Sequence, residues 1–253
     1  MKSIAAAFVF FTRLPFWRLK AFNVPPECYK QVINYWAVAG WLTGGAMVGT
    51  LWLSAQILPY SAAILFALLS RLLITGALHE DGLADFMDGF GGGNNKEQIL
   101  AIMKDSHIGT YGVIGLIFYF SLFYLLLLSL PVHTACVIIL IADPLCKLIS
   151  SQITCFLSYA RTEETSKSKT VYKKMSLKPF IVSCIFGLLP LLLIPNIKYL
   201  IAILFPLIVF GLTVYLIKKK IGGYTGDCCG ALFLMCELSF VTGISICFKF
   251  FSL

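Results

Sequence analysis

The chain has 253 residues, of which 59% are hydrophobic and only 13% are charged, and its mean hydropathy is +0.88. A single soluble domain cannot bury so much apolar surface in one core, so the composition excludes that class and predicts an integral membrane protein. The formal net charge of +8 then indicates membrane orientation and contact with anionic lipid, and it gives no support for nucleic-acid binding.

The N-terminal segment predicts a short amphipathic or re-entrant helix at the membrane surface. Its apolar run is followed by Arg13 and Pro15, and it lacks a small-residue cleavage site. A secretory signal peptide is therefore not expected.

Seven apolar stretches are each long enough to cross about 30 Å of hydrocarbon as a helix. They run from Asn34 to Leu58, Tyr60 to Leu78, Tyr111 to Leu130, Val132 to Tyr159, Pro179 to Ile194, Ile197 to Ile217 and Gly230 to Phe250. We therefore expect an all-α fold, in which residues 1–253 form one polytopic transmembrane helical bundle. With a cytoplasmic N-terminus most of the 20 basic residues fall on the cytoplasmic side, which predicts a multi-pass protein of a bacterial cytoplasmic (inner) membrane.

The loop after the second stretch, residues 79–110, holds the densest group of ionisable side chains. Asp81, Asp85 and Asp88 recur at i, i+4 and i+7, so in a helix their carboxylates lie within about 60° of one another. Three such anions repel, and a hard cation such as Mg²⁺ would bind one or two of them and leave positions for water and phosphate. We expect a magnesium site here, with Glu80 as a further candidate ligand; the alternative is a solvated acidic surface.

The same loop contains a second candidate group. Asn95 and Gln98 form a capping box for a short helix that ends near Lys104, and this helix would return Asp105 and His107 towards the membrane. Asp105 is then a candidate ligand or base, and Lys104 a candidate phosphate contact. The alternative is a local ion pair on the surface.

Two later loops differ in kind. The basic loop, about residues 160–178, is rich in Ser and Thr and is interpreted as a positive-inside linker. The glycine-rich loop, about residues 218–229, would let backbone N–H groups approach an anion beside a helix N-terminus. In it, Thr225 is a candidate substrate contact, and Asp227 is either the N-cap of the last helix or a substrate contact.

Three buried-looking ionisable residues lie in the apolar stretches. Asp143 and Lys147, at i and i+4 in the fourth stretch, are expected to neutralise each other. Arg71, in the second stretch, is expected either to snorkel to the cytoplasmic face or to reach a phosphate.

Three motifs together resemble the cobalamin synthase family of adenosylcobinamide-GDP ribazoletransferases. They are TGALHEDGLADFMDG, IMKDSHIGTYGV and GGYTGDCCGA, and the resemblance covers essentially the whole chain. It implies a Mg²⁺-dependent membrane enzyme that joins adenosylcobinamide-GDP to α-ribazole, or to α-ribazole 5′-phosphate. The products would be adenosylcobalamin, or its 5′-phosphate, and GMP.

The resemblance also implies roles for individual residues. Asp81 and Asp85 would be catalytic and would hold Mg²⁺ with Asp88, and Asp105 would be a further ligand or the base for the attacking ribose hydroxyl. The candidate substrate contacts are Lys104, His107, Gly109, Thr225 and Asp227. Where this family often has an arginine in the middle transmembrane region, the chain has Lys147, which cannot form a bidentate phosphate contact.

Two other classes of protein compete with this interpretation. One is a different magnesium-dependent membrane enzyme, such as a CDP-alcohol phosphotransferase or a polyprenyl transferase, although no arginine follows Gly82 where the first of these requires one. The other is a cation transporter. Expected partners are the small-molecule substrates and membrane lipid, with no nucleic acid. Self-association, or association with other cobamide-assembly enzymes, is left open.

Overall fold

The structure is a computed structural model, and it describes residues 2–160, 171–172 and 174–251. Within these ranges the regular secondary structure is helical and no β-strand forms, which confirms the all-α prediction. The α-helices are α1 Lys2–Phe11, α2 Trp36–Ser54, α3 Tyr60–Thr75, α4 Leu78–Gly92, α5 Lys96–Ile102, α6 Thr110–Leu128, α7 Val132–Ser151, α8 Ile153–Phe156, α9 Leu177–Leu188, α10 Leu204–Ile221 and α11 Gly226–Phe251. Short 3₁₀ helices cover Phe16–Arg18, Lys20–Phe22, Pro26–Tyr35, Leu189–Leu193 and Ile197–Ile203.

The chain is a multi-pass membrane protein by the length and apolarity of its helices. In the described residues four helical segments can cross a membrane: Thr110–Leu128, Val132–Phe156, Ile197–Ile221 and Gly226–Phe251. A fifth span results if α3 and α4 are counted as one broken span. The predicted number of seven is not confirmed.

The other two predicted spans are short or only moderately apolar. Helix α2 has 19 residues, about 28 Å of helix, but its four glycines and three tryptophans leave it outside the set of strongly apolar helices. The predicted span from Pro179 to Ile194 is a 12-residue α-helix that passes into 3₁₀ geometry at Leu189–Leu193. Pro190 lies at the start of that segment, and proline cannot donate the next helical hydrogen bond.

Helices α7 and α11 form the centre of the bundle. In the candidate spans that contain α7 and α11, 72% and 61% of the most apolar stretch is buried inside the protein. The corresponding share is 22% in α6 and 22% in the span that ends with α10. The central helices therefore contact protein on most sides, whereas α6 and α10 present apolar side chains outwards, as lipid-facing helices do.

A sharp corner joins α3 to α4, and it decides where the acidic motif lies. The two helix axes meet at 90°, and both corner residues, Gly76 and Ala77, have positive φ angles of 65° and 55°. The backbone N–H of Arg13 donates to the carbonyl of Ile74 at 2.6 Å, which ties the N-terminal segment to the corner. If α3 crosses the bilayer, α4 and its aspartates therefore run along the membrane plane.

The predicted features of the loops can be compared with the structure only in part. The N-terminal helix forms as α1. The capping box also forms: Asn95 Oδ1 accepts from the N–H of Gln98 at 2.9 Å, at the start of α5. Most of the predicted basic loop, residues 161–170 and 173, lies outside the described residues.

Candidate active site

The candidate site lies where α4 crosses α11, and two glycines allow this crossing. A Cβ atom on Gly82 would lie 3.0 Å from the carbonyl oxygen of Asp227, and one on Gly230 would lie 3.2 Å from the carbonyl oxygen of His79. The two backbones are therefore in close contact. This contact places the HEDG segment of α4 beside the TGD segment that begins α11, although residues 83–224 lie between them in the chain.

A cavity of about 260 Å³ opens at this crossing. Its polar side is formed by Asp81, Thr225 and Asp227, and Asp81 is exposed. The remaining residues of the lining are mostly apolar or aromatic: Phe10, Phe11, Ile33, Trp36, Leu78, His79, Tyr159, Tyr172, Gly226, Cys229 and Gly230. We call Asp81, Thr225 and Asp227 the acidic rim. We call the ring-bearing lining residues the aromatic wall: Phe10, Phe11, Trp36, His79, Tyr159 and Tyr172.

Thr225 is the residue that caps α11. Its Oγ1 accepts from the N–H of Cys228 at 3.3 Å and donates to Asp227 Oδ2 at 3.3 Å. Of the two predicted roles for Asp227, the capping role therefore belongs to Thr225. Asp227 stands in the first turn and lines the cavity, where a helix N-terminus also favours a bound anion.

The three aspartates of the acidic motif share helix α4, but they have different surroundings. The two carboxylate oxygens of Asp88 accept from the N–H groups of Gly109 and Gly112 at 2.7 Å and 2.9 Å. Asp88 therefore caps the start of α6, whereas Asp81 lies on the acidic rim. Asp85 is half-buried between them. No group of three His, Cys, Asp or Glu side chains with metal-binding geometry occurs in the described residues, so the expected triad is not gathered around one point.

Glu80 points into the protein instead of towards the rim. Its carboxylate is buried, and Glu80 Oε1 lies 3.7 Å from Arg71 Nη2. Arg71 is itself fully buried: Nη1 donates to both carboxylate oxygens of Glu237 at 2.7 Å, and Nη2 donates to Tyr119 at 2.6 Å. Both predictions for Arg71, snorkelling and phosphate contact, are wrong because Glu237 on α11 holds it in the core.

Asp143 and Lys147 form a buried ion pair, as predicted. The hydroxyl of Thr43 donates to Asp143 at 2.9 Å, and Lys147 Nζ donates to Thr43 Oγ1 at 2.6 Å. A carboxylate with these partners neutralises the ammonium group, which would otherwise be costly in the membrane interior.

The second candidate group, Lys104, Asp105 and His107, is exposed and does not line the cavity. Asp105 Oδ1 accepts from the backbone N–H of His107 at 3.0 Å and lies 2.7 Å from His107 Nδ1. These contacts lower the pKa of the Asp105 carboxyl, which weakens it as a base. The structure therefore matches the alternative prediction for this group, a local ion pair on the surface. Gly109 contacts the carboxylate of Asp88.

The aromatic wall was not found from the sequence. Phe10 and Phe11 come from α1 and Trp36 from α2, and each looks like an ordinary core residue in its own segment. The signal appears only when α1, α2, α4 and α11 are assembled.

Comparison with known proteins finds similarity in sequence over nearly the whole chain. A sequence profile of the cobalamin-5-phosphate synthases matches residues 3–245. The chain belongs to the cobalamin-5-phosphate synthase family.

Curated relatives of this family include proteins named adenosylcobinamide-GDP ribazoletransferase from Shewanella oneidensis, Shewanella putrefaciens and Shewanella baltica. Each is 34% identical over 232 residues, which cover 90% of this chain and 88% of the relative. No solved structure matches the chain. The cobalamin-5-phosphate synthase profile includes both halves of the α4–α11 crossing, so the candidate site lies within the matched region.

Proposed function

We propose that this chain is an adenosylcobinamide-GDP ribazoletransferase. It would join adenosylcobinamide-GDP to α-ribazole, or to its 5′-phosphate, and release GMP. The observation that carries the proposal is the joint placement of Asp81, Thr225 and Asp227 around one cavity at the N-terminus of α11. A diphosphate substrate needs such a combination of a helix N-terminus and carboxylates that can hold a cation.

The donor set fits Mg²⁺, which would neutralise charge on the diphosphate and on the departing GMP. Asp81 and Asp227 supply hard carboxylate oxygens to one cavity, and Asp85 follows Asp81 by one turn of α4. Mg²⁺ in phosphate-binding sites takes only one or two protein carboxylates, with water and phosphate at the other positions. Asp88 is not needed in this set, because it caps α6.

In the proposed reaction, a ribose hydroxyl oxygen of the acceptor, other than the 5′-oxygen that carries the phosphate in α-ribazole 5′-phosphate, attacks the phosphorus next to cobinamide. A new P–O bond forms, the P–O bond to GMP breaks, and the hydroxyl proton leaves to a carboxylate of the acidic rim. The chain contributes mainly by positioning: the first N–H groups of α11 hold phosphate oxygens, Thr225 caps the start of that helix, and the crossing brings Asp81 and Asp227 to one cavity.

We further propose that the acidic rim faces the cytoplasm of a bacterial cell and that the chain lies in the inner membrane. The basic residues support this orientation. Lys218, Lys219 and Lys220 end α10, directly before the loop that carries Thr225, and positive charge marks the cytoplasmic side.

The test is a turnover assay with detergent-purified protein, adenosylcobinamide-GDP, α-ribazole and Mg²⁺. We expect GMP and a cobamide product in equal amounts, and loss of both when EDTA removes Mg²⁺. Parallel assays with a CDP-alcohol and with a prenyl diphosphate should give no product. Folded protein that turns over either of these, but not adenosylcobinamide-GDP, would overturn the proposal.

A further inference from the structure

The aromatic wall contains a buried polar group that the proposed reaction has not yet used. The imidazole of His79 is 1% exposed, and neither ring nitrogen has a hydrogen-bond partner among the described residues. The indole N–H of Trp36 is also buried without a hydrogen-bond partner among the described residues. Both residues line the cavity. Because a buried polar group without a partner is destabilising, the indole N–H of Trp36 and the single N–H of a neutral His79 imidazole are suited to a ligand that accepts hydrogen bonds.

The surroundings of His79 are rings. Its centroid lies 5.4 Å from that of Trp36, 6.5 Å from that of Phe11 and 5.0 Å from that of Phe233. Phe11 and Trp36 are themselves stacked, with centroids 5.2 Å apart and planes at 18°. A planar ring is the ligand that gains most from such surfaces, since stacking on aromatic side chains is favourable for any base.

We propose that the aromatic wall binds the heterocyclic base of the acceptor nucleoside, and that His79 donates a hydrogen bond to its free ring nitrogen. This inference rests on the proposed function, and it assigns the two halves of the cavity to different parts of the reaction. The base lies in the aromatic wall, and the attacking hydroxyl of its ribose points to the acidic rim. His79 and Asp81, two residues apart on α4, then contact the base and the reacting phosphate respectively.

The size and polarity of the cavity distinguish this ligand from the other parts of the substrates. A corrin macrocycle is too large for about 260 Å³, a volume below the usual range for drug-sized ligands. Guanine would bring several N–H donors to its edge, and among the unpartnered nitrogens of His79 and Trp36 only the second imidazole nitrogen accepts, so most of these donors would lose their hydrogen bonds on binding. A benzimidazole riboside presents one ring nitrogen that only accepts.

The test compares two acceptors in the His79→Phe variant, which keeps an aromatic ring and removes the donor. One acceptor is α-ribazole, and the other is an α-riboside whose base is a phenol ring without nitrogen. We expect the KM for α-ribazole to rise about three- to tenfold, the range of one hydrogen bond. The KM values for the phenol riboside and for adenosylcobinamide-GDP should stay unchanged. His133→Phe, on an exposed histidine of α7, is the matched control and should change none of them.

Two results would overturn the inference: an unchanged KM for α-ribazole, or an equal rise for all three substrates. If His79→Phe does not fold, Phe11→Leu tests the same wall. Loss of one stacking surface should raise the KM of both acceptors about fivefold without changing that of adenosylcobinamide-GDP.

Binding without turnover separates this inference from the proposed function. Equilibrium dialysis with α-ribazole should show binding to wild-type protein and weaker binding to His79→Phe. Such binding in protein that releases no GMP would contradict the reaction and support the base site. Turnover with an unaltered response to His79→Phe would support the reaction and contradict the base site.

Discussion

Two charged regions lie within a few turns of each other on α3, α4 and α11, and they are built in opposite ways. In the core, Arg71 has Glu237 and Tyr119 within 2.7 Å, and Tyr119 donates to Glu237 at 2.8 Å. At the cavity, Asp81 is exposed on the rim, and the ring nitrogens of His79 have no partner among the described residues. An ionisable residue in an apolar chain is therefore interpreted from its partners. A group with buried partners, such as Arg71, is structural, whereas a group that lines a cavity without them, such as His79, is a candidate for function.

The largest effect is expected from breaking the core region. Arg71→Met leaves the buried carboxylates of Glu237 and Glu80 without their cation, so the free energy of unfolding should fall by about 3–5 kcal/mol. Thermal unfolding in detergent, followed by size-exclusion chromatography, measures this change. The double variant Arg71→Met/Glu237→Leu removes one of these two orphaned carboxylates and should recover part of the loss. A single variant as stable as wild type would show that the ion pair does not hold the core.

The next largest effect is expected at the acidic rim, where stability should not change. Asp81→Asn keeps the shape of the side chain and removes its charge, so kcat/KM for GMP release should fall at least about a hundredfold. The melting temperature should stay near that of wild type, because Asp81 is exposed. Steady-state kinetics and a melting curve on the same preparation check both statements. A stable variant with wild-type turnover would remove Asp81 from the mechanism.

Asp88 sharpens the comparison, because it belongs to the acidic motif but has structural partners. Asp88→Ala removes two hydrogen bonds from the start of α6, and loss of a cap costs about 0.5–2 kcal/mol. We expect a lower melting temperature and an unchanged Mg²⁺ concentration for half-maximal activity. A higher Mg²⁺ requirement without loss of stability would restore Asp88 to the metal site.

The smallest effect is expected at Asp105. Its pKa is lowered by the N–H groups of His107, so any stabilisation from this pair exists at neutral pH and is lost as the pH falls through the lowered pKa. Because both residues are exposed, Asp105→Asn should change activity less than about twofold. The melting-temperature difference from wild type should be small at neutral pH and disappear under acidic conditions. A difference that grows on acidification would contradict the assignment.

Local features could be predicted from the sequence because they depend on neighbouring residues. The helical acidic motif, the capping box at Asn95 and the pairing of Asp143 with Lys147 are of this kind. The partners of Arg71 could not be predicted, because they lie 48 and 166 positions away. The partners of Asp88 lie 21 and 24 positions away. The sequence predicted seven spans, whereas the described residues contain four or five helical segments that can cross a membrane. Part of the difference arises because apolar length alone does not reveal the 3₁₀ geometry after α9. The cavity needs the close contact at Gly82 and Gly230, which only the assembled bundle shows.

The most direct test of the central claim compares kcat/KM for Mg²⁺-dependent GMP release in Asp227→Asn and Asp105→Asn. Both changes neutralise one aspartate in a motif of the sequence, but only Asp227 lines the cavity. The account predicts that Asp227→Asn loses at least about a hundredfold while Asp105→Asn stays within about twofold of wild type. The reverse order, in folded proteins, would place the active site at the exposed loop and contradict the account.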